Sequence, residues 1–233
     1  MQRQIIALGG GGFSMEFFNP LMDSYILAQS SKPFPKICFL PTASGDADGY
    51  VARFHKFFQQ FPCKTAHLSL FSGHTNKIES FLLEQDIIYV GGGNTRNLMV
   101  LWKEWGLDKI LWKAYQQGTI LCGISAGSLC WFEEGLTDSI PLELNRLECL
   151  GFLKGSNSPH FDGESNRRPR YIELMKTGIM KPGIAADDGV ALHYINEQLG
   201  KVVASRKNVG AYQFKWNNGT LIEQKINAEF LGK

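Results

Sequence analysis

The chain has 233 residues, 44% apolar and 20% charged, which are globular values that exclude wholesale disorder. At this length folding can bury roughly 70–75% of the unfolded surface, so no disulfide or metal staple is required. A net charge of +2 gives no footing for a nucleic-acid or anionic-membrane surface and points instead to a small or neutral partner. Cys38, Cys63, Cys122, Cys130 and Cys149 are scattered and contain no C-x-x-C pair, which argues against a disulfide framework or zinc site and for a reducing cytoplasm. Ile5-Ile6-Ala7-Leu8 is too short for a signal peptide. The uncharged run 114–132 is broken by Gln116, Gln117, Gly118, Gly123 and Ser125, well short of the roughly 18 apolar residues of a membrane span. The expectation is a soluble cytoplasmic protein with no bound metal.

Short apolar runs alternate with helical patterns from the start of the chain. Ile5-Ile6-Ala7-Leu8 reads as a buried strand closed by Gly9-Gly10-Gly11-Gly12, and residues 19–29 as a helix. Residues 37–40 form the next strand, and 50–61 a helix with Phe54, Phe57 and Phe58 in its apolar stripe. Residues 66–70 alternate as a third strand, 77–84 make a short helix, and 86–90 a strand entering Gly91-Gly92-Gly93. Two helical patterns follow, 97–105 and 107–117, with Gly118 as the cap; core packing accounts for Trp102, Trp105 and Trp112. Residues 119–123 are another strand, and a helix begins over 126–133. Strands spaced by helices of this length predict an α/β fold with a mostly parallel sheet covered by helices on both faces. Residues 136–182 loosen into an irregular stretch with one helix at 170–177. Strands at 184–186, 190–194, 201–205 and 211–220 then follow, with Asn217-Asn218-Gly219 as a turn. With no repeat, low-complexity tract or linker, the reading is one α/β domain with a β-rich C-terminal portion.

The segment that carries most chemistry is Gly123-Ile124-Ser125-Ala126-Gly127, a G-x-S-x-G set between a strand and a helix. In that setting a tight turn lifts a serine hydroxyl clear of the sheet edge. The Ala126 amide, at the helix start, then faces the atom that Ser125 attacks. Gly91-Gly92-Gly93-Asn94-Thr95 follows the preceding strand, and loops after neighbouring parallel strands converge at the carboxyl edge. Gly92 is the candidate second oxyanion amide. Asn94 is a candidate substrate contact, although either Asn94 or Thr95 also suits a helix cap. Gly9-Gly10-Gly11-Gly12 lacks the spacing and lysine of a nucleotide cradle and reads as a turn at the same edge.

With Ser158-Pro159-His160-Phe161 added, these motifs resemble the peptidase E (aspartyl dipeptidase) family of serine peptidases, which includes cyanophycinases; the resemblance runs over residues 37–189. It implies a class I glutamine-amidotransferase-like three-layer sandwich with serine where those glutaminases carry cysteine. It also implies hydrolysis of short peptides without a cofactor, by a monomer or homodimer. His160 is the base chosen from the residues alone, because His55, His67, His74 and His193 lie in helical, strand or loop patterns better suited to structural roles; the family's catalytic histidine matches it. The resemblance offers two orienting acids, Asp138 and Asp188. Asp188 stands where the family has a glutamate, one methylene longer, and is favoured. Arg167, Arg168 and Arg170 flank Pro169 beyond the base. Guanidinium forks suit carboxylates, so Arg167 and Arg170 are candidates to bind an acidic substrate, with a solvated loop as the alternative. A cyanophycinase-like or other amide hydrolase, and an inactive small-molecule-binding protein, are the competing functions.

Overall fold

A computed structural model of the protein describes residues 2–72, 77–140 and 143–232. The elements run β1 (Gln4–Leu8), α1 (Gly12–Met15), α2 (Leu21–Ala28), β2 (Lys36–Leu40), α3 (Asp48–Phe58), β3 (Lys64–His67), α4 (Ile78–Leu83), β4 (Ile87–Val90), α5 (Thr95–Glu104), α6 (Leu107–Gln116) and β5 (Ile120–Ile124). They continue as α7 (Ala126–Leu129), β6 (Phe132–Thr137), β7 (Asn145–Glu148), β8 (Leu153–Ser158), α8 (Arg167–Lys176), β9 (Gly183–Ala186), β10 (Val190–Ile195), β11 (Gln198–Ala204), β12 (Gly210–Asn217), β13 (Thr220–Asn227) and β14 (Glu229–Phe230).

An eight-stranded sheet has the order β14-β11-β10-β1-β5-β4-β2-β3. Its β1-β5-β4-β2-β3 half is parallel, and β10 joins β1 antiparallel. Alternate residues of one strand feed two cores, as a sheet covered on both faces requires. Ile5 and Ala7 of β1 join one cluster with Trp102, Leu111 and Tyr115 from α5 and α6. Ile6 and Leu8 join the other, with Met22 and Ile26 of α2 and Phe54, Phe57 and Phe58 of α3. This is the expected α/β sandwich. Trp102 is wholly buried, but Trp105 and Trp112 are each 41% exposed, so core packing accounts for the first alone.

A second, six-stranded sheet, β13-β12-β9-β8-β6-β7, departs from the sequence expectation. The stretch expected to be irregular holds β7, β8 and α8, and the helix expected over 126–133 ends at Leu129, after which β6 begins. The strands at 184–186 and 211–220 were expected and are β9 and β12; β6 and β8 escaped notice because several of their buried positions are polar. Glu134 of β6, with Ser156, Asn157 and Ser158 of β8, is buried, which erases any apolar alternation. Each of these groups is satisfied by a distant partner, apart from the Ser158 hydroxyl. Glu134 pairs with Arg146, Ser156 Oγ lies 2.6 Å from the Tyr171 hydroxyl, and Asn157 Nδ2 donates to Ile184 O at 3.1 Å. The helix α8 covers this sheet through Tyr171, Leu174 and Met175, packed with Phe161 and Phe214.

The strand expected over 66–70 is displaced to Lys64–His67. Beyond it, Asp46 Oδ2 accepts from Ser69 Oγ and from the backbone N–H of Leu70 and Phe71 at 2.6–2.9 Å, which draws that stretch off the sheet. Asn218 and Gly219 both have positive φ, 47° and 77°, as the β12–β13 hairpin turn demands.

Candidate active site

Ser125 follows β5 and precedes α7 with φ 57° and ψ −112°. A non-glycine residue there is strained by about 1–3 kcal/mol and persists only when its surroundings fix it. The fixing is visible in the glycines on either side. A Cβ on Gly123 would fall 2.5 Å from Val90 O, and one on Gly127 would fall 2.2 Å from the same oxygen. Both positions must therefore be glycine for the end of β4 to pass beneath the turn. Ser125 O accepts from Ser128 N at 2.9 Å and from Leu129 N at 3.0 Å, which closes the turn into α7. The Ala126 N–H, at the first position of that helix, lies outside the helix's own bonding ladder.

The Gly91–Gly93 loop backs onto the serine. A Cβ on Gly92 would lie 3.2 Å from Ser125 Cβ and 3.8 Å from its Oγ. The Gly92 N–H does not stand open here, because it donates to the Tyr50 hydroxyl at 3.3 Å. Asn94 caps α5, with Oδ1 accepting from Asn97 N at 2.9 Å and Nδ2 donating to Ser139 O at 3.4 Å. Its amide is spent on the fold at both ends.

His160 lies two residues past β8, also in left-handed backbone with φ 52°. Its N–H donates to Gly9 O at 2.9 Å, while the N–H of Ser125 donates to Leu8 O at 3.4 Å. Consecutive carbonyls at the end of β1 thus hold Ser125 and His160 at the same sheet edge. His160 Nδ1 meets Asp188 Oδ1 at 2.7 Å, and both side chains are 14% exposed. Asp188 is fixed from behind by its own N–H, donated to Asp162 Oδ1 at 2.7 Å. Burial pushes its carboxyl pKa up, but the hydrogen bond and charge of His160, with the charges of Arg206 and Arg167, outweigh this and hold it below the usual value. Gly10 makes room for the pair, since a Cβ there would lie 2.0 Å from Asp188 Oδ1. Nε2 of His160 is left without a protein partner among the described residues, facing outward from the acid.

No hydrogen bond joins Asp138 to His160, whose Nδ1 is taken by Asp188. Asp138 is exposed in the turn after β6 and lines an open cleft with Glu143, Glu164 and Arg170. The two arginines expected to meet substrate are committed inside the protein. Arg167 is 3% exposed, its guanidinium on Glu164 at 2.8–2.9 Å and on Leu136 O at 3.0 Å. Arg170 donates to Leu144 O and pairs with Glu173, each at 3.0 Å. Neither presents a free fork. The reason is local: Glu173 stands three residues after Arg170 on the same face of α8, and Glu164 stands three residues before Arg167 in the turn that leads into the helix.

Among the other histidines, His193 is buried between the Tyr25 hydroxyl at 2.7 Å and Gln4 Oε1 at 2.9 Å. His55 bonds Thr65 and His67 on the far side of α3. His74 lies outside the described residues. Among the described residues no group of three or more His, Cys, Asp or Glu side chains could hold a metal ion, and no helix is long and apolar enough to cross a membrane. Sequence reasoning missed Tyr50; it placed the Gly9–Gly12 turn at this sheet edge but not the room that Gly10 leaves for Asp188. Tyr50 was hidden in the aromatic stripe of α3, with no local signal that its hydroxyl reaches the Gly92 amide.

Comparison with known proteins places this geometry. Peptidase YgaJ of Bacillus subtilis strain 168, itself uncharacterized, is 53% identical over 230 residues, covering 99% of this chain and all of that protein. The solved structure of a peptidase from an acI-B1 Actinobacterium superposes with a TM-score of 0.70 at 17% identity, covering 98% of this chain and 95% of that one. A Listeria monocytogenes EGD-e protein named for peptidase E gives 0.62 at 16% identity, over 97% and 100% of the two chains. These two share the fold, consistent with the class I glutamine-amidotransferase-like sandwich. The model of peptidase family S51 matches residues 5–202, so the chain belongs to that family of peptidases.

Proposed function

We propose that this peptidase hydrolyses short peptides by a serine mechanism through an acyl-enzyme. The observation that carries the reading is the His160–Asp188 pair at 2.7 Å, anchored by backbone to the strand end that also anchors Ser125. The carboxylate holds Nδ1 in its protonated tautomer and leaves Nε2 as the base. As Ser125 Oγ bonds to the substrate carbonyl carbon, its proton passes to Nε2 and the carbonyl electron pair moves onto oxygen. The Ala126 amide and the Gly92 loop are the groups placed to stabilise that oxyanion. Collapse expels the amine, which takes the proton from His160. Water then repeats the sequence on the ester and frees the acid. No cofactor enters this route.

N-terminal aspartyl dipeptides are the first substrates to test. Because Arg167 and Arg170 are paired internally, a preference for aspartate requires one of them to exchange its partner for substrate, or another cation to serve. A dipeptide panel with Asp, Glu, Asn and Ala at the first position, run on wild type and Ser125→Ala, tests the proposal. Turnover of one or more members by wild type, lowered roughly 10⁴-fold or more in the variant, is expected. Turnover by a folded Ser125→Ala protein contradicts it.

A further inference from the structure

We propose that the Tyr50 hydroxyl donates a hydrogen bond to the oxyanion formed at Ser125. The proposal rests on the serine mechanism above and adds a catalytic residue to it.

The Tyr50 ring is rigidly placed. It meets Phe39 edge-on with centroids 4.9 Å apart and Phe13 at 5.6 Å. Any Cβ on Gly91 would come within 2.9 Å of Tyr50 Cε1 and of Phe39 Cζ. Ring and loop are therefore interlocked on the side of the loop away from solvent. At its tip the hydroxyl accepts from Gly92 N–H at 3.3 Å and lies 2.7 Å from Ser14 Oγ. Gly92 is the residue at which an added Cβ would meet Ser125, 3.2 Å from its Cβ.

A count of donors and acceptors bounds what this hydroxyl can offer. A phenol has one proton and two acceptor sites. Gly92 N–H occupies one acceptor site, and the Ser14 hydroxyl, free to rotate, can occupy the other. With Ser14 as the donor the phenolic proton is left for another acceptor; with Tyr50 as the donor it rests on Ser14 Oγ, a neutral hydroxyl that a charged oxygen outcompetes. Two donors pointed at the phenolic oxygen polarise it and strengthen the bond it donates in turn. The negative oxygen that forms when Ser125 attacks is a stronger acceptor for that proton than the Ser14 hydroxyl. In the attack the carbonyl π pair becomes that oxygen's charge, the Ser125 proton goes to His160, and the Tyr50 proton is shared without transfer. Burial, the largest influence on the phenol, raises its pKa and keeps the proton in place at neutral pH. The Gly92 amide thus acts behind Tyr50, which accounts for its being occupied while standing against the nucleophile.

Tyr50→Phe keeps the ring and removes only the hydroxyl. The expected result is a kcat about 10²-fold lower, with KM within roughly twofold and an unchanged melting temperature. Affinity for a dipeptide aldehyde, which forms an anionic tetrahedral adduct with the serine, should fall by a similar factor while affinity for the product does not change. Ser14→Ala, which leaves the phenol present but less polarised, should show the same pattern at roughly a tenth of the size, and it serves as the second variant if Tyr50→Phe fails to fold. Wild-type kcat and aldehyde affinity in either folded variant overturn the proposal. So does a kcat loss with undiminished aldehyde affinity, which would leave Tyr50 merely holding the loop. Ser125→Ala run beside them separates the two levels: activity there removes the serine mechanism itself, whereas an inactive Ser125→Ala beside a normal Tyr50→Phe removes only the tyrosine.

Discussion

Ser125 and His160 both sit in left-handed backbone, with φ of 57° and 52°, but two different kinds of sequence put them there. The Ser125 side is built by backbone fit. Apolar β4 and β5 lie side by side in the main sheet, and Gly123 and Gly127 admit Val90 O to within distances no side chain could tolerate. The His160–Asp188 side is built by buried polar side chains. Ser156 and Asn157 of β8 and Glu134 of β6 find partners 12 to 47 residues away, and the strands they hold deliver His160 and Asp188 to the edge of β1. The first kind of order is written in neighbouring residues and resists all but glycine. The second is distributed over the chain, and its weak points are single carboxylates.

Substitutions on the two sides should therefore fail in different ways. The largest effect on the His160–Asp188 side is expected for Asp188→Asn. An amide facing Nδ1 favours the wrong imidazole tautomer, so kcat should fall by up to about 10⁴-fold with little change in melting temperature. Asp138→Asn, exposed in its turn, should stay within a few-fold of wild type, roughly the scale of a lost turn or cap bond. Near-normal Asp188→Asn beside a crippled Asp138→Asn would move the orienting acid to the other carboxylate. Kinetics with thermal melts on the two variants read this directly.

A smaller effect is expected where the two sides meet. Gly10→Ala introduces a methyl 2.0 Å from Asp188 Oδ1, so the carboxylate must move by an ångström or more. A displacement of that size is worth roughly 10² in kcat. If Gly10→Ala keeps full kcat, the His160–Asp188 contact is not required for turnover.

The smallest effect separates catalytic from structural titration. Burial lowers the pKa of His193 from 6.5 to about 4, so its imidazole stays neutral in the fold at pH values where the unfolded chain takes up a proton. Its contribution to stability is complete above pH 6.5 and drains away as pH falls towards 4, up to about 3 kcal/mol in all. Urea midpoints at pH 7 and 4.5 should show a smaller acid loss in His193→Gln than in wild type. An equal loss in both would show that another group carries the acid sensitivity. An activity decline between pH 7 and 5 that persists in His193→Gln then belongs to the site.

The same contrast explains what could be read from the chain. The strand–elbow–helix at 119–129 was legible because glycine placement and apolar strands are local patterns, and the main sheet followed from them. In the second sheet β9 and the β12–β13 turn were legible at 184–186 and 211–220, but β6, β7 and β8 were not, since Glu134, Ser156 and Asn157 read as surface residues until their distant partners are in view. Asn94, Arg167 and Arg170 were singled out for chemistry that suits their side chains, yet each is engaged within the fold: Asn94 by its own helix, the arginines by carboxylates three residues away and by carbonyls of the second sheet. Tyr50 was invisible for the opposite reason, an aromatic among aromatics whose hydroxyl matters only once the Gly91–Gly93 loop folds over it.

The central claim, that Ser125 is a nucleophile activated by His160, is tested most directly by locating a covalent adduct. The purified protein is treated with a fluorophosphonate, digested and analysed by mass spectrometry, alongside His160→Ala. The account predicts one modified peptide, with the phosphonyl group on Ser125, and near-complete loss of that adduct in His160→Ala. An adduct on another residue, or undiminished labelling of Ser125 without His160, would contradict it.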